Sequence, residues 1–258
     1  MLLAIDIGNT EVTIGLFSDA TLVGQWRFTT HPDRTSDEWA LVLGAALAVE
    51  GRPVTACVLA SVAPGATRSV ALGAEKATGV PVTIIDARTP LPLVLDVDYP
   101  QTVGADRIIN GLVAVLEFQR DTIIVDFGTA TTFDCVTADG RFIGGAIMPG
   151  LRTSADELTR KAAKLPATEL QIPTRAIGRN TEACIQAGVL FGAADAIDGM
   201  LRRIRAEWPG AERPQAIATG GLSILVAPLC TELDGVDREL TLRGLCLAAR
   251  HLGLRDRG

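Results

Sequence analysis

Short apolar runs of strand length alternate along the chain with stretches whose apolar residues recur every three or four positions. The first run, Leu2-Leu3-Ala4-Ile5, goes straight into Asp6 and a Gly8-Asn9 turn. A second β-type run, Val12-Thr13-Ile14-Gly15-Leu16-Phe17, follows. This pattern predicts a buried strand and a hairpin, with Asp6 at the strand's end. Leu22 to Thr30 predicts a third strand. Thr35-Ser36-Asp37-Glu38 reads as a helix start, a hydroxyl cap with acids in the first turn. That helix is expected to run to about Glu50 and stop at Gly51. Val54 to Val62 predicts a strand, Ala63-Pro64-Gly65 turns into a helix, and Val80 to Ile85 is a strand again. The alternation predicts α/β layers.

Arg88 to Val103 has no clean period and predicts a long loop, which carries Tyr99, the chain's one tyrosine. The loop delivers Gly104-Ala105-Asp106-Arg107. Ile108, Ile109, Leu112, Val113 and Leu116 then form a helical stripe, so Asp106 falls at a helix N-terminus, where a plain capping role is the simplest reading. The opening pattern now returns as Ile123-Ile124-Val125-Asp126-Phe127-Gly128-Thr129-Ala130-Thr131-Thr132, followed by another β-rich run to Val136. One Asp-x-Gly turn is an ordinary hairpin. Two of them, each opening half of the chain, predict related lobes over 1–115 and 116–258, each offering an Asp-Gly loop to a shared nucleotide cleft.

In the second half, Phe142 to Met148 predicts a strand ending at Pro149-Gly150, with a helix after it to about Lys164. Gly178-Arg179-Asn180-Thr181 opens a long helix whose expected buried stripe is Ile185, Val189, Ala193, Ala196, Met200 and Ile204. Gly188 and Gly192, one turn apart on it, would admit another helix, from a second subunit or from the same chain. Ala216 to Thr219 predicts a strand ending in Gly220-Gly221, either a tight turn or a place for a ligand against backbone. The last helix, Leu240 to Leu252, is expected to close the second lobe.

Composition narrows the function. The chain has 258 residues, 48% of them hydrophobic, and a formal charge of −6 without a basic cluster. Nucleic acid and anionic membranes are therefore poor partners. No uninterrupted apolar run reaches the ~18 residues of a membrane span, and the N-terminal run lacks the basic flank of a signal peptide. Cys57, Cys135, Cys184, Cys230 and Cys246 lack metal-ligand spacing and have apolar neighbours, which predicts reduced, buried thiols in a cytoplasm. The only histidines, His31 and His251, lie where surface residues are expected, which disfavours a histidine triad or a zinc site.

P-loop, dinucleotide, Gly-x-Ser-x-Gly and Cys-x-x-Cys motifs are all absent. What remains is two Asp-Gly hairpins, a Gly-Gly strand end and an Asp-Arg helix start. Gly8 lets a ligand approach the backbone, and Asn9 and Thr10 add donors that suit phosphate. Phosphoryl transfer needs parts of this kind: backbone donors around phosphates, carboxylates for metal ions, and a base near the acceptor hydroxyl.

Asp-x-Gly-Asn-Thr at the start, Ser61-Val62-Ala63-Pro64, Gly-Ala-Asp-Arg at 104–107, Asp-Phe-Gly-Thr-Ala-Thr-Thr at 126–132 and Gly-Arg-Asn-Thr at 178–181 resemble the type III pantothenate kinases, in order and spacing, over nearly the whole chain. The resemblance implies a duplicated ribonuclease-H-like, actin-like ATPase fold in the superfamily of acetate and sugar kinases, heat-shock ATPases and actin. It implies ATP-dependent phosphorylation of pantothenate to 4'-phosphopantothenate, the first step of coenzyme A synthesis, in a cytoplasmic homodimer. Asp6, Ile7, Gly8, Asn9, Thr10, Glu11, Val12 and Thr13 match the first phosphate loop, with Asp6 orienting magnesium through water. Asp126 matches the ligand of a monovalent cation, potassium or ammonium, and Thr129 a contact to ATP. Gly104, Ala105, Asp106 and Arg107 match the pantothenate loop, with Asp106 as catalytic base. Tyr99 and Thr181 match further pantothenate contacts, and Gly220 and Gly221 fall where the superfamily holds adenosine. Glu11-Val12-Thr13 departs from the usual residues at a variable stretch. Two rivals are another small-molecule kinase of the superfamily, which has no reason to carry Gly-Ala-Asp-Arg, and a non-catalytic ATP-binding regulator, which has no reason to keep Asp106.

Overall fold

The structure is a computed structural model that describes residues 1–49 and 51–254. Glu50, the expected end of the first helix, and residues 255–258 lie outside it. Contacts divide the chain into two units. One comprises Met1–Glu117 together with the helix that starts at Leu240, and the other is Phe118–Glu239.

The first unit contains β1 (Leu2–Ile7), β2 (Glu11–Ser18), β3 (Thr21–Thr29), α1 (Ser36–Ala48), β4 (Ala56–Ser61), α2 (Pro64–Thr78), β5 (Val82–Ile85), β6 (Val94–Leu95) and α3 (Ala105–Val113). Its sheet runs β3-β2-β1-β4-β5. The β1–β2–β3 meander is antiparallel, while β4 and β5 are parallel to β1. The expected strands and helices are thus all present, and the helix start at Thr35 closes as a full capping box. There the Thr35 amide donates to Glu38 Oε2 at 2.8 Å, and the Glu38 amide donates to Thr35 Oγ1 at 3.3 Å.

Being central, β1 is buried on both faces. Leu3, Ile5 and Ile7 pack with Trp39 and Leu43 of α1 and with Ala66, Val70 and Ala74 of α2. On the other face, Leu2 and Ala4 pack with Ala105, Ile109 and Leu112 of α3 and with Leu242, Leu245 and Ala249. The last three belong to the C-terminal helix (Leu240–His251). That helix completes the first unit and does not close the second, as its position in the sequence suggested. Thr241 Oγ1 donates to the fully buried Asn110 Oδ1 at 2.8 Å. A Cβ on Gly244 would stand 2.6 Å from the Ile109 carbonyl oxygen and 2.6 Å from Ile109 Cγ2. The two helices therefore approach as closely as a glycine allows.

The second unit contains β7 (Thr122–Phe127), β8 (Ala130–Val136), β9 (Arg141–Pro149), α4 (Leu151–Lys161), α5 (Thr181–Ala206), β10 (Gln215–Thr219), α6 (Ser223–Val226) and β11 (Gly235–Val236); the C-terminal helix is α7. Within this unit the strands run β9-β8-β7-β10-β11, antiparallel across β7–β8–β9 and parallel across β7–β10–β11. Read outward from each Asp-bearing strand, order and direction repeat those of the first unit. The internal repeat seen in the sequence is a repeat of topology.

Ile123, Val125, Phe127, Phe133, Ala216 and Ala218 form one sheet face, covered by Leu151 and Ala155 of α4 and by Leu190, Ala194, Ile197 and Leu201 of α5. The buried stripe of α5 therefore lies beside the expected one. Ile185 is buried, but Val189, Ala193 and Met200 are half-buried and Ala196 is exposed. α5 is long and apolar enough to cross a membrane by length and composition. Its buried side is nevertheless built as a core helix. Asp198, on that side, accepts from the Thr231 amide at 2.8 Å, the Thr231 hydroxyl at 2.6 Å and the Glu232 amide at 3.0 Å. All five cysteines are free. Cys57, Cys135 and Cys246 are buried as expected, but Cys184 is exposed. Both histidines are exposed, as expected.

The α3–α7 approach gives a test. Gly244→Ala places a methyl against a backbone carbonyl, which cannot yield as a side chain can. The variant should lose about 1–3 kcal/mol in urea denaturation, although alanine is the better helix former by ~1 kcal/mol. A variant as stable as the parent would show that the α3–α7 approach is looser.

Candidate active site

In the first unit, β1 and β4 end side by side, with Ile7 opposite Ser61 and the Val62 amide donating to the Ile7 carbonyl at 2.9 Å. The β1–β2 turn closes through the Gly8 amide to the Glu11 carbonyl at 2.9 Å. Thr30 pins it, its hydroxyl donating to the Gly8 carbonyl at 2.8 Å and its amide to the Thr10 carbonyl at 2.9 Å. Asn9, Thr10 and Glu11 are exposed and Thr13 is half-buried. Ile7 and Val12, by contrast, are fully buried in the α1–α2 core. Of the expected phosphate loop, these two can meet a ligand only through their backbone. Asp6 continues the row Leu2–Ala4 on the α3 side of the sheet.

That side also holds the Gly-Ala-Asp-Arg turn. Gly104 is the N-cap of α3 and supplies no side-chain cap. A Cβ on it would stand 2.5 Å from Asp106 Oδ1 and 3.2 Å from Val62 Cγ1. The missing methyl thus lets the Asp106 carboxylate fold back over the turn. Through Val62 this turn adjoins the β1 strand end, so the structure brings the Asp6 hairpin and Asp106 into one neighbourhood. Arg107 donates its amide to Asp106 Oδ1 at 2.8 Å. Burial pushes the Asp106 carboxyl above its ordinary value; the Arg107 amide and the Arg107 charge offset part of this. A raised carboxyl is a stronger base once ionised. Ala105 is buried in the core. Tyr99 is exposed, its carbonyl accepting from the Thr102 hydroxyl at 2.8 Å.

In the second unit, Asp126 is the penultimate residue of β7, with Thr219 as its parallel neighbour on β10 and Thr132 as its antiparallel neighbour on β8. Gly220 follows with φ +87°, and a Cβ there would stand 2.5 Å from Asp126 Oδ1. Here again a glycine clears the space in which a carboxylate lies, so Asp126 and the Gly220-Gly221 turn are brought together. The Thr129 carbonyl accepts from the Thr153 hydroxyl at 2.6 Å and the Gly150 amide at 3.1 Å, which ties the hairpin to the start of α4. Thr181 opens α5, whose cap Asn180 accepts from the Ala183 amide at 2.8 Å. Thr181 lines a cavity of about 550 Å³ with Thr131, Met148, Cys184, Gly188 and Gly192.

Two residues of this region are misplaced by the sequence reading. Thr219 was read only as the end of a strand, and period-two alternation on β10 is the signal that would have placed it beside Asp126. Cys184 was read as buried, whereas it faces the cavity one helical turn before Gly188.

A cation at Asp126 fits the residues present. The carboxylate lies in a cradle that a side chain at 220 would fill, beside a buried Thr219 hydroxyl that has no partner among the described residues. Among the described residues no cluster of three or more His, Cys, Asp or Glu side chains stands ready for a metal. A site with so few charged side chains suits a weakly held ion that shares its charge with phosphate oxygens.

The repeated sheet order, with an aspartate at the end of each central strand, defines the class: a duplicated ribonuclease-H-like fold of the actin-like ATPases and sugar kinases. An inorganic polyphosphate/ATP-glucomannokinase from Arthrobacter sp. strain KM shares this fold, with a TM-score of 0.51 at 14% identity, over 99% of both chains. Within that class the family is set by sequence. The family model described as type III pantothenate kinase matches residues 2–203, and the chain belongs to that family. A type III pantothenate kinase of Thermomicrobium roseum is 44% identical over 95% of both chains. One from Deinococcus radiodurans is 43% identical over 95% of this chain and 94% of its own.

Asp106 carries a stability consequence. Its folded carboxyl value is raised, so the stabilisation it contributes is complete below the unfolded value and is lost as pH rises through the folded one. Above the folded value the protein bears the cost of a desolvated carboxylate. Asp106→Asn removes that cost and should be more stable than the parent at pH 7.5. The gap in denaturation midpoints should narrow as pH falls through the folded value. Equal midpoints at every pH would mean that the carboxylate is solvated.

Proposed function

We propose that this protein transfers the γ-phosphoryl group of ATP to the primary hydroxyl of pantothenate, giving 4'-phosphopantothenate in the synthesis of coenzyme A. The observation that carries the reading is the Gly104–Arg107 turn, a raised carboxylate at a helix start beside the Asp6 hairpin, in a chain of the type III pantothenate kinase family. Asp106 accepts the hydroxyl proton as that oxygen attacks phosphorus. Asp6 holds the magnesium that accompanies ATP through water, and Asp126 holds potassium or ammonium. When bound, these cations neutralise charge on the phosphates. The backbone of residues 6–13, Thr129, Gly220 and Gly221 contacts ATP, while Tyr99, Gly104 to Arg107 and Thr181 contact pantothenate. The free thiols support a cytoplasmic site of action.

ATP turnover with and without pantothenate, in potassium and in sodium, tests this reading. The expected result is turnover that needs pantothenate and potassium. Asp106→Asn should lower turnover by about 10²-fold or more while ATP binding persists. Near-parental turnover by the variant would reduce Asp106 to a helix residue, and turnover of a sugar in place of pantothenate would move the chain to another kinase activity.

A homodimer belongs to the same proposal. Among the described residues a Cβ on Gly188 or Gly192 would meet nothing within 4 Å, so the glycine face of α5 opens onto the cavity rather than onto a packed neighbour. A second copy seated there would lie beside Thr181. Gly192→Leu has room in the single chain, so its effect reports the partner. The expected outcome is a monomer by light scattering, with weakened pantothenate binding and retained ATP binding. A parent protein that is monomeric and fully active at micromolar concentration would remove the partner.

A further inference from the structure

Thr219 is 1% exposed, and its Oγ1 has no hydrogen-bond partner among the described residues. A buried hydroxyl without a partner is rare, because its lost hydration is not replaced. If Thr219 served only to fill a strand position, valine would fill it without that cost.

Its placement explains the hydroxyl. Ala216 and Ala218 of β10 enter the core with Ile123 and Val125 of β7, which are their register partners. Alternate residues therefore stand on the opposite face, and there Thr219 is the direct partner of Asp126. The Asp126 carboxylate already lies against β10, since a Cβ on Gly220 would be 2.5 Å from Oδ1. On the other flank of Asp126 stands Thr132, whose hydroxyl reaches Asp134 Oδ2 at 3.5 Å. Two hydroxyls thus border one carboxylate, and that of Thr219 is uncommitted.

We propose that Thr219 is a positioning residue for Asp126: its hydroxyl donates a hydrogen bond to the carboxylate as that group turns to hold a cation, and fixes the rotamer in which it does so. A carboxylate has oxygens for both partners, one toward the cation and one toward the hydroxyl. Groups that orient a metal ligand in this way contribute about 10–100-fold in metal affinity. The inference rests on the reading that Asp126 holds a monovalent cation, and extends it to a residue outside the Asp-x-Gly motif.

The test uses Thr219→Val, Thr219→Ser and Asp126→Asn, each with magnesium and a non-hydrolysable ATP analogue. Thermal midpoints are followed as potassium replaces choline at constant ionic strength, and the potassium giving half-maximal turnover is measured in parallel. The parent should show a potassium-dependent rise in midpoint, and Asp126→Asn should not. Thr219→Val should be at least as stable as the parent in choline, yet need about tenfold more potassium or beyond for half the rise and for half-maximal turnover. Thr219→Ser should restore the parental potassium dependence. A parental potassium curve in Thr219→Val would overturn the inference and leave Asp126 untouched. So would a Thr219→Val protein that is unfolded or less stable in choline, since its hydroxyl would then be a structural partner. A parent without a potassium-dependent rise, matched by Asp126→Asn, would instead remove the cation from Asp126, and the role of Thr219 with it.

Discussion

From Leu2 in β1 and Ile123 in β7 each central strand is apolar up to its penultimate residue, and the covering of β1 on both faces is the constraint from which the place of Asp6 follows. With α1 and α2 on one side and α3 and α7 on the other, a carboxylate anywhere in Leu2–Ile5 would be stranded away from water. The row Leu2–Ala4 can become polar only where the helices stop, and Asp6 stands there. Ile7, one residue further, points back into the opposite core. In β7 the same arithmetic places Val125 and Phe127 in the core and Asp126 on the other face. The two half-buried carboxylates thus sit at strand ends because the layers leave them nowhere else.

A second device is shared by Asp106 and Asp126. Each carboxylate lies where a neighbouring glycine, Gly104 or Gly220, has no side chain. At Asp106 burial raises the cost of the ionised form and pushes the carboxyl above its ordinary value. Removing the carboxylate would relieve the fold and, on the proposed mechanism, remove the base together. Under that proposal stability and catalysis oppose each other at this residue, as they commonly do where a charged group is held ready for a reaction.

The two hairpins, the helix starts and the internal repeat were legible because each is encoded within about ten residues: a period, a cap, a turn. The hydroxyl cap at Thr35 is wholly local and formed as expected, with Glu38 closing it into a capping box. What escaped depends on distant partners. Nothing in the sequence of α7 says which sheet its stripe will meet, and the Gly244–Ile109 approach joins positions on two helices far apart in the chain. α5 is apolar over more than one stripe, so its periodicity fits two neighbouring faces, and only the sheet beneath chooses Leu190, Ala194, Ile197 and Leu201. Thr219 escaped for a related reason. Its significance lies in a register partner nearly a hundred positions earlier.

The return of α7 to the first unit bears on how the protein is made. Residues 1–117 emerge from the ribosome without the helix that shares with α3 the covering of one sheet face, and Leu2, Ala4, Val58 and Ala60 wait for Leu242, Leu245 and Ala249. The second unit, by contrast, is one unbroken segment whose sheet and covering helices are all translated before α7 appears. Domains ordinarily mature from the N-terminus during synthesis. Here the order is inverted: the later-translated unit has all its parts first, and the earlier one presents an incomplete apolar surface until α7 is made.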